Sequence, residues 1–398
     1  MFAAISDLLN AVRPHLTPLL VYQVAVSMFV VFALGNAFVD GFTFRRPHPA
    51  AVPDNDSWPS LSILIPARDE EATLEACVRS LLAQDYPGGL EILVLDDHSR
   101  DQTARVLAEL AAGDARVRPL AGGPLLPGWK GKPNALRQLA ARATGDVLLL
   151  TDADCTFYPH ALASAVRHRE RVGADCLSLI PYLECRTFWE HVVVPLQYFL
   201  VFATLPVRSV YASRNPAFAA ANGAFLLLPR ETYNALGGHE PVKGEMAEDI
   251  KFAQHVKRSG RKLVYGDGSR VYAVRMYDGL RAIWDGFSKN LFPAMGKSLP
   301  VLIVWSLFLL GTQVLPFVFV GGALVTGNRS PAGFWFPLAH VAAALALRVA
   351  LSVRFRQAVW AALTHPLGWL VTLAIGANSA YLAYSGRGHA WKGRVYET

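Results

Sequence analysis

The chain has 398 residues, of which 53% are hydrophobic and only 17% are charged. This composition is too apolar for a soluble protein of that length, so part of the chain is expected in a lipid bilayer, and the length allows two folding units. The net charge of +7 is spread along the chain without an aromatic and basic RNA-binding motif, which argues against a nucleic-acid partner. Attraction to an anionic membrane surface accounts for the charge instead.

Four stretches without Lys, Arg, Asp or Glu mark the membrane-embedded part. Each approaches or exceeds the roughly 20 residues that cross a hydrocarbon core. The first is longer than the apolar core of a signal peptide and has no A-x-A-like cleavage site before Asp40, so we expect a retained anchor. The third is the weakest span, and a buried or re-entrant helix is its alternative. The stretches are Pro14 to Val39, Ser298 to Asn328, Ser330 to Leu347 and Gln357 to Ser385.

Basic residues flank these stretches and predict the orientation of the chain. The positive-inside rule assigns such loops to the cytoplasm, so we expect an inner-membrane protein with its globular segment in the cytoplasm. Four crossings would, however, place the basic tail with Arg387, Lys392 and Arg394 on the far side. Either one span is miscounted or the tail violates the rule. The flanking residues are Arg45, Arg46, Lys289, Lys297, Arg348, Arg354 and Arg356.

Strands alternate with helices between the first and second apolar stretches. Apolar runs predict the strands, and apolar residues at helical spacing predict the helices. This alternation predicts an α/β domain with a mainly parallel, Rossmann-like sheet and flanking helices, in which ligands bind beyond the carboxyl ends of strands. The predicted strands are Leu61 to Pro66, Leu90 to Leu95, Val117 to Leu120 and Asp146 to Thr151. The predicted helices are Glu71 to Leu82, a helix from a capping box at Ser99 to Gln102 as far as Leu110, Asn134 to Ala143 and Pro159 to Val172.

Two carboxylates follow the fourth predicted strand, at the edge where ligands are expected. Residues i and i+2 of an extended chain point to the same side, so Asp152 and Asp154 can converge on one hard cation. Phosphate oxygens would fill its remaining positions. The D-x-D pattern therefore indicates a site for a metal-chelated diphosphate, and a solvated turn of two aspartates is the alternative.

Other polar residues at this edge suit a nucleotide held by side chains. The absence of G-x-G-x-x-G after the first strand and of G-x-x-x-x-G-K-[ST] removes most support for dinucleotide oxidoreductases and P-loop NTPases. After the second strand, Asp96 or Asp97 can accept hydrogen bonds from a uracil or a ribose, or can cap the next helix. Gly128 to Lys132 places two glycines and two lysines before a helix N-terminus that favours anions; a solvated basic loop is the alternative.

Six motifs in order resemble glycosyltransferase family 2, inverting enzymes of the GT-A fold that use nucleotide-diphosphate sugars. The resemblance covers roughly Ser62 to Tyr277. It implies that the domain has a GT-A fold and transfers a sugar from a nucleotide to an acceptor. The motifs are Ile65 to Glu71, Leu95 to Ser99, Gly131 to Leu136, Asp152 to Asp154, Asn222 to Phe225, and Glu248 with Asp249.

On the donor side, the resemblance implies contacts with the nucleotide, the diphosphate and a metal. Asp154, together with Asp152, is implied to bind a divalent cation, Mg²⁺ or Mn²⁺. The implied nucleotide-sugar contacts are Pro66, Glu70, Asp96, Asp97, Lys132 and Asp152.

On the acceptor side, the resemblance implies a general base at Asp249, with Glu248 beside it in the catalytic motif. A carboxylate is needed because an acceptor hydroxyl must lose its proton as it attacks the anomeric carbon. Further acceptor or diphosphate contacts are Asn222, Gly223, His239, Arg275 and Tyr277, with structural roles left open for the last three.

The region after the proposed base differs from that of processive polysaccharide synthases in the same family, which carry Q-x-x-R-W. Here Arg275 to Tyr277 is followed by Asp278 to Trp284 without the Gln, so processive polymerisation is not expected. Residues 278–297 have apolar side chains at spacings of three and four, which predicts a helix in the membrane interface or one packed against the sheet. Phe188 to Leu205 is a second candidate interfacial element.

The missing processive motif and the multi-span tail are similar to the branch of the family that glycosylates carotenoids, hopanoids or related lipids. We expect transfer of one sugar, glucose by default, from a UDP-sugar to a lipophilic hydroxyl. Alternatives are a polyprenyl-phosphate sugar transferase, a short polysaccharide synthase and an inactive nucleotide-sugar-binding scaffold. The expected organisation is an anchor at 1–45, the glycosyltransferase domain at 54–277, the interfacial helix at 278–297, membrane helices at 298–386 and a tail at 387–398.

Overall fold

A seven-stranded sheet organises the globular part of the chain. The computed structural model describes residues 17–48 and 57–385, and the backbone of residues 389–391 and 394–396. The expected boundary at residue 54 and the start of the tail at 387 lie outside these residues. The strands before the tail are β1 (Leu61–Ala67), β2 (Leu90–Asp96), β3 (Val117–Ala121), β4 (Val147–Leu150), β5 (Cys155–Phe157), β6 (Cys176–Ile180), β7 (Tyr182–Leu183), β8 (Leu226–Pro229), β9 (Leu263–Asp267) and β10 (Tyr272–Val274).

Helices flank this sheet and form the membrane part. Three further short 3₁₀ turns occur in the globular part or open the last helix. The helices are α1 (Pro18–Thr43), α2 (Leu74–Leu82), α3 (Thr103–Gly113), α4 (Gly131–Ala140), α5 (Ala161–Val172), α6 (Phe188–Val193), α7 (Leu196–Thr204), α8 (Val207–Ala212), α9 (Arg230–Ala235), α10 (Glu248–Arg258), α11 (Gly279–Ala294), α12 (Leu299–Thr326), α13 (Pro331–Arg354) and α14 (Val359–Tyr384).

The large sheet is mainly parallel, as the alternation of strands and helices predicts. Its order is β3-β2-β1-β4-β8-β6-β9, and β8 runs antiparallel to both neighbours whereas the other pairs are parallel. The buried apolar runs of β1, β2 and β4 form its centre. The α/β fold class with a mostly parallel sheet is therefore confirmed. The carboxyl ends of β1, β2 and β4 lie at one edge, so the loops that follow them are neighbours.

The predicted capping box at Ser99 to Gln102 is wrong. The helix begins at Thr103, and Gln102 precedes it without a side-chain cap. The Ser99 hydroxyl accepts instead a 3.0 Å hydrogen bond from Asp69 N in the loop after β1. Thr103 N donates a 3.0 Å hydrogen bond to Asp101 Oδ1. The Ser99 side chain thus bonds a residue of another loop instead of capping the helix that follows it.

A small second sheet fixes the turn that carries the two predicted metal ligands. Its order is β5-β10-β7. The D-x-D residues occupy the link between β4, which ends at Leu150, and β5, which begins at Cys155. Cys155 pairs with Val274 of β10, and Phe157 stacks on Tyr272 with ring centroids 5.7 Å apart. Both ends of the turn are therefore anchored in regular structure.

Four helices are long and apolar enough to cross a membrane, namely α1, α12, α13 and α14. They match the four apolar stretches of the sequence, and the third is a continuous helix of 24 residues. The helices α1 and α13 are joined by polar contacts, since Ser27 Oγ lies 2.8 Å from His340 Nε2 and Gln23 donates a 3.0 Å hydrogen bond to Ala332 O.

Two of the basic residues expected in a loop lie within α13. This helix extends past the predicted end at Leu347 as far as Arg354. Arg348 is only 2% exposed and donates to His191 O of α6 at 3.3 Å. The expected loop after Leu347 was wrong. A charged residue there was taken to mark the end of the helix, whereas the Arg348 guanidinium lies within the helix and binds a backbone carbonyl of the globular part.

The helix α11 packs against α14 and α6 rather than against the sheet. Phe292 N donates a 3.0 Å hydrogen bond to Ser379 Oγ, and Asn378 Nδ2 donates to Ser288 Oγ at 2.8 Å. The apolar stripe that the sequence shows on this helix includes the buried Ile283. Its partner is thus the last apolar helix, so the alternative of a sheet-packed helix was wrong.

The short helices α6 and α7 lie between the sheet and the apolar helices. Tyr198 of α7 stacks on Phe355 at the end of α13 with ring centroids 4.0 Å apart. Asn36 of α1 donates hydrogen bonds to Phe202 O and Leu205 O, at 2.8 and 2.9 Å. One continuous buried cluster extends from β1 and β4 through α7 to Trp369 of α14. The segment predicted as a second interfacial element therefore joins the two parts of the molecule.

Asp267, at the end of β9, connects the sheet to α1 and α13. Its side chain is fully buried, and Oδ2 lies 2.7 Å from Arg46 Nη2 and 3.3 Å from Arg354 Nη2. Ser269 Oγ donates to Oδ1 at 2.6 Å. Arg46 follows the first apolar helix and Arg354 ends the third, so a single carboxylate holds both helix ends against the edge of the sheet.

We expect Asp267→Asn to destabilise the protein by about 1 to 3 kcal/mol, between the values typical of surface and buried ion pairs. The carboxylate is buried, but its arginine partners are 30% and 25% exposed and can partly rehydrate. Thermal unfolding in detergent should show a lower Tm. The matched control is Asp278→Asn, whose carboxylate is 80% exposed; equal Tm values for the two variants would contradict the role of Asp267.

Candidate active site

Lys132 lies at the centre of the residues that the motifs singled out. It is the second residue of α4. Its Nζ lies 2.6 Å from Asp152 Oδ1, after β4, and 3.1 Å from Glu248 Oε1, at the start of α10. Although burial opposes its charge, Asp152 and Glu248 hold the pKa of Lys132 well above its usual value. One ammonium group thus joins the D-x-D turn to the helix that carries the predicted base.

Asp249 is held by backbone amides. Its Oδ2 accepts a 2.9 Å hydrogen bond from Gly223 N, and its Oδ1 accepts one of 2.8 Å from Ile250 N. The close approach favours glycine, because a Cβ added at Gly223 would lie 3.0 Å from Lys132 Nζ and 3.3 Å from Asp249 Cβ, and these side chains would have to shift. The predicted acceptor-side segment is therefore the turn before β8 that positions the carboxylate.

Asn222 forms the other half of this turn. Its backbone N donates to Ser178 Oγ at 2.8 Å, and its Oδ1 accepts a 3.0 Å hydrogen bond from Ala224 N. The Asn222 side chain is thus hydrogen-bonded to the backbone of its own turn. Asn222 supports Gly223 and, through it, Asp249, and its contact with an acceptor stays a prediction.

Two carboxyl groups in the cluster have raised pKa values. Burial, followed by the charge of Glu248, raises the pKa of Asp249 to about 6. Burial, followed by Asp152 and Glu70, raises the pKa of Asp154 to about 7. Lys132 lowers both values, so Asp154 and Asp249 border one electrostatic region.

The donor atoms of the D-x-D turn fit a divalent cation that is also bound by its substrate. In residues 17–48 and 57–385 no group of three His, Cys, Asp or Glu side chains is arranged to hold a metal ion. The mutual repulsion of Asp152 and Asp154 would be relieved by a cation, and both carboxylates are partly accessible. Hard cations complete their coordination with phosphate and water oxygens. Asp152 and Asp154 would therefore hold the ion together with a diphosphate.

The loops after β1 and β2 form one rigid unit at the predicted nucleoside end. Asp97 is 5% exposed, its N donates to Ala67 O at 2.7 Å, and its carbonyl accepts a hydrogen bond from Arg68. Glu70 N donates to Thr103 Oγ1 at 2.7 Å. The two loops thus bond each other reciprocally, which places the predicted nucleoside contacts on a preorganised surface.

The other predicted nucleoside contacts border the same surface. Asp96 Oδ1 accepts a 3.1 Å hydrogen bond from Ser99 N, so this carboxylate shapes the loop. Pro66 is paired with Leu95 in the register of β1 and β2 and is partly accessible. Contacts of Pro66, Glu70, Asp96 and Asp97 with a nucleotide stay predictions.

His239 and Arg275 are committed to structural contacts. His239 is 1% exposed, its Nδ1 lies 2.8 Å from the Tyr233 hydroxyl, and burial, with Lys132, lowers its pKa to about 3. Arg275 Nη2 lies 3.1 Å from Glu190 Oε1 and 2.8 Å from Asp278 Oδ1. The structural alternative that the sequence left open is therefore favoured for both residues.

Tyr277 differs from these two because it lies within the electrostatic influence of Asp154 in the D-x-D turn. Burial, followed by the charge of Asp154, raises the pKa of Tyr277. Its ring packs on α11 and makes an edge contact with Phe287 at 5.0 Å between centroids. A Cβ added at Gly286 would collide with this ring. Tyr277 therefore connects the donor side of the site to α11.

Glu190 is a structurally important carboxylate that the motifs did not reveal. Its side chain is 1% exposed, and it accepts hydrogen bonds from Arg275 and, at 2.9 Å, from Gly279 N, the first residue of α11. Although burial opposes ionisation, the amide of Arg186 and the side chain of Arg275 help lower the pKa of Glu190 to about 2. A Thr-x-x-Glu capping box at Thr187 could have revealed its local role, but not its contact with α11.

The large sheet places a cluster of carboxylates around Lys132, beyond the carboxyl ends of its strands. Residues 62–206 match the family model of glycosyl transferase family 2. This match confirms the resemblance that the motifs indicated.

Curated relatives agree with this assignment. The 4,4'-diaponeurosporenoate glycosyltransferase of Staphylococcus aureus strain USA300 is 26% identical over 268 residues, which cover 66% of this chain and 69% of the relative. The protein of the same name from strain N315 is 26% identical over 270 residues, covering 66% and 70%.

A solved structure confirms the GT-A fold. The mannosyltransferase PcManGT from Pyrobaculum calidifontis, in complex with GDP-Man and Mn²⁺, superposes with a TM-score of 0.55 at 19% identity. The match covers 92% of this chain and 98% of that chain. At this level of identity the likeness concerns the fold.

We expect Lys132→Met to weaken binding of a nucleoside diphosphate by about 10- to 100-fold. A charge-assisted hydrogen bond contributes about 1.5 to 3 kcal/mol, and the change removes the ammonium group between Asp152 and Glu248. Calorimetric titration with UDP and Mn²⁺ measures the effect. Lys251→Met, an exposed position on α10, is the control; unchanged affinity in a folded Lys132→Met protein would contradict a diphosphate-binding role.

Proposed function

We propose that the protein transfers a single sugar from a nucleotide-diphosphate sugar to a lipophilic acceptor in the membrane, with inversion at the anomeric carbon. The donor is a UDP-sugar, with glucose as the default. The observation that carries this proposal is the ion-paired Lys132, which joins Asp152 on the donor side to Glu248 and, beside it, Asp249 on the acceptor side. The residues proposed to bind the donor and the proposed base are thereby held next to each other.

The donor side uses the D-x-D turn and Lys132. Asp154 and Asp152 hold Mg²⁺ or Mn²⁺, and Lys132 binds the diphosphate as a neighbouring cation. When bound, the metal stabilises the negative charge that develops on the departing diphosphate. The complex of the fold neighbour with GDP-Man and Mn²⁺ supports the use of a metal with a nucleotide sugar in this fold. Pro66, Glu70 and Asp97 line the nucleoside end.

The acceptor side uses Asp249 as the general base. The acceptor oxygen attacks the anomeric carbon, the bond from that carbon to the diphosphate breaks, and the hydroxyl proton passes to the Asp249 carboxylate. A pKa of about 6 leaves this carboxylate ionised at neutral pH and yet more basic than an ordinary aspartate. The amides of Gly223 and Ile250 orient it, so it needs no rearrangement before proton transfer.

The membrane part supports a lipophilic acceptor. The glycosyltransferase domain shares a continuous apolar core with the apolar helices, so its site stays close to the bilayer. The curated relatives act, by their name, on 4,4'-diaponeurosporenoate. We place the domain on the cytoplasmic side of the inner membrane, in accord with the basic residues that flank the apolar helices.

The names of these relatives also support a second acceptor chemistry, a carboxylate. A carboxylate acceptor is already ionised at neutral pH and needs no general base, whereas a hydroxyl does. Polysaccharide extension has less support, because polar side chains within the described apolar helices pair with one another, as Gln313 does with His365 at 3.0 Å. An inactive scaffold would have no reason to hold an oriented carboxylate beside a diphosphate site.

We expect Asp249→Asn to lower kcat by about 10²- to 10⁴-fold with a hydroxyl acceptor, the usual contribution of a general base. The substitution keeps an acceptor oxygen for Gly223 N, so UDP binding should be unchanged. With a carboxylate acceptor we expect little loss. Single-turnover assays with UDP-glucose, a divalent cation and carotenoids bearing either group distinguish the two, with Glu231→Gln, exposed on α9, as control. Full activity of Asp249→Asn with a hydroxyl acceptor would refute the mechanism.

The pH dependence should report the same group. Asp249 has a folded pKa of about 6 and acts only when deprotonated, so kcat/KM for a hydroxyl acceptor should fall about tenfold per pH unit below pH 6. The residual activity of Asp249→Asn should not show this fall below pH 6. If kcat/KM of the unmodified enzyme fell only below about pH 4, an ordinary aspartate value, burial would not raise the pKa of Asp249.

A further inference from the structure

The membrane part has two sides that the contacts of α1 and α13 define. Arg354 at the end of α13 donates to Phe44 O after α1 at 3.2 Å and lies next to Asp267 of the sheet. We call this the domain side. At the other ends of the two helices, the far side, Gln23 bonds Ala332 O. The helix α12 starts from α11 on the domain side and runs toward the far side, and near its middle Gly311 O accepts a 2.6 Å hydrogen bond from the hydroxyl of Tyr22 in α1.

The last apolar segment, α14, begins on the domain side. Just before it, Gln357 Nε2 donates a 2.9 Å hydrogen bond to Leu183 O of the small sheet. Trp360 stacks on Phe188 of α6 with ring centroids 5.7 Å apart. The 3₁₀ turns from Val359 to Thr364 then lead into the helix. At their end His365 Nε2 lies 3.0 Å from Gln313 Oε1, in the middle of α12.

From His365 onward, α14 runs back toward the domain side. A Cβ added at Gly376 would lie 3.4 Å from Leu302 Cδ1, near the start of α12. Ser379 Oγ accepts from Phe292 N of α11 at 3.0 Å, and Tyr384 packs on the same Phe292 at 5.7 Å between ring centroids. The contacts thus descend from Gln313 to Leu302 to Phe292 as the residue number of α14 rises. A helix crossing to the far side would approach Thr326 instead.

From this order of contacts we infer that Val359 to Tyr384 does not cross the membrane. It enters from the domain side, turns near His365 and leaves on the domain side, as a re-entrant segment embedded in one leaflet. The interval from Leu302 to Gln313 on α12 corresponds to about 16 Å at 1.5 Å per residue, close to half of the ~30 Å hydrocarbon core. The chain therefore crosses the membrane three times.

The surface of the segment fits the acyl chains of a single leaflet. Trp360, Leu363, Leu370 and Tyr384 expose 46%, 78%, 47% and 66% of their surface. Non-helical backbone at membrane depth is tolerated where protein covers it, and the 3₁₀ turns pack on α6 and α13. The polar His365, fully covered by protein, also has Trp369 Nε1 at 3.0 Å.

Three crossings also remove the conflict over the basic tail. The backbone of residues 389–391 and 394–396 forms a hairpin, and its first strand lies against α11, on the domain side. This hairpin thus lies on the same side as the glycosyltransferase domain. Its positive charges then satisfy the positive-inside rule that a fourth crossing would violate.

Labelling of single cysteines with a membrane-impermeant maleimide tests this topology. In the full-length protein with Cys185→Ser, the reporter is Thr398→Cys, the domain-side control is Lys251→Cys and the far-side control is Asn328→Cys, in the turn between α12 and α13. Intact cells and inside-out vesicles are compared. We expect Thr398→Cys to react wherever Lys251→Cys reacts, with an at least tenfold difference between the two preparations, and Asn328→Cys to show the opposite preference.

Reaction of Thr398→Cys together with Asn328→Cys would overturn the inference. If a cysteine variant does not fold, the sensitivity of a C-terminal epitope to protease in inside-out and right-side-out vesicles gives the same information without a substitution. Cleavage from the far side alone would also overturn it. Neither result depends on which sugar or acceptor the enzyme uses.

Discussion

The site depends on one partly exposed ammonium group, that of Lys132, among carboxylates. Asp152 and Glu248 pair with Lys132 directly, and its charge also lowers the pKa values of Asp154 and Asp249. Without a cation, carboxylates this close would repel one another and take up protons. Lys132 compensates part of this repulsion, and the incomplete compensation explains why Asp154 and Asp249 still have raised pKa values. A site with surplus negative charge is suited to binding a divalent cation with its diphosphate.

The same sheet that positions the cluster is attached firmly to the membrane part. Asp267 binds the ends of α1 and α13, and Tyr198 stacks on Phe355. These contacts are distributed over the helices rather than confined to one linker. The position of Asp249 relative to the apolar helices is therefore set by packing.

Much of the fold and part of the site could be predicted from local sequence. The buried strands appear as apolar runs, and Asp152, Lys132 and Asp249 occur in motifs whose order fixes their place along the sheet edge. Contacts between distant segments could not be predicted in this way. Ser99 bonds a neighbouring loop instead of capping its own helix, Arg348 binds a carbonyl of α6, and α11 pairs with α14. In each case the local pattern fits two partners equally well, and only the tertiary arrangement selects one.

Gly286 brings the helix α11 into direct contact with a residue of the candidate site, Tyr277. Its missing side chain lets the Tyr277 ring rest directly on the backbone of α11, and Tyr277 lies within electrostatic range of Asp154. The helix α11 in turn is bonded to α14 through Ser379 and Asn378. A displacement of α11 would therefore move the Tyr277 ring, and with it a side chain whose phenol responds to the charge of Asp154.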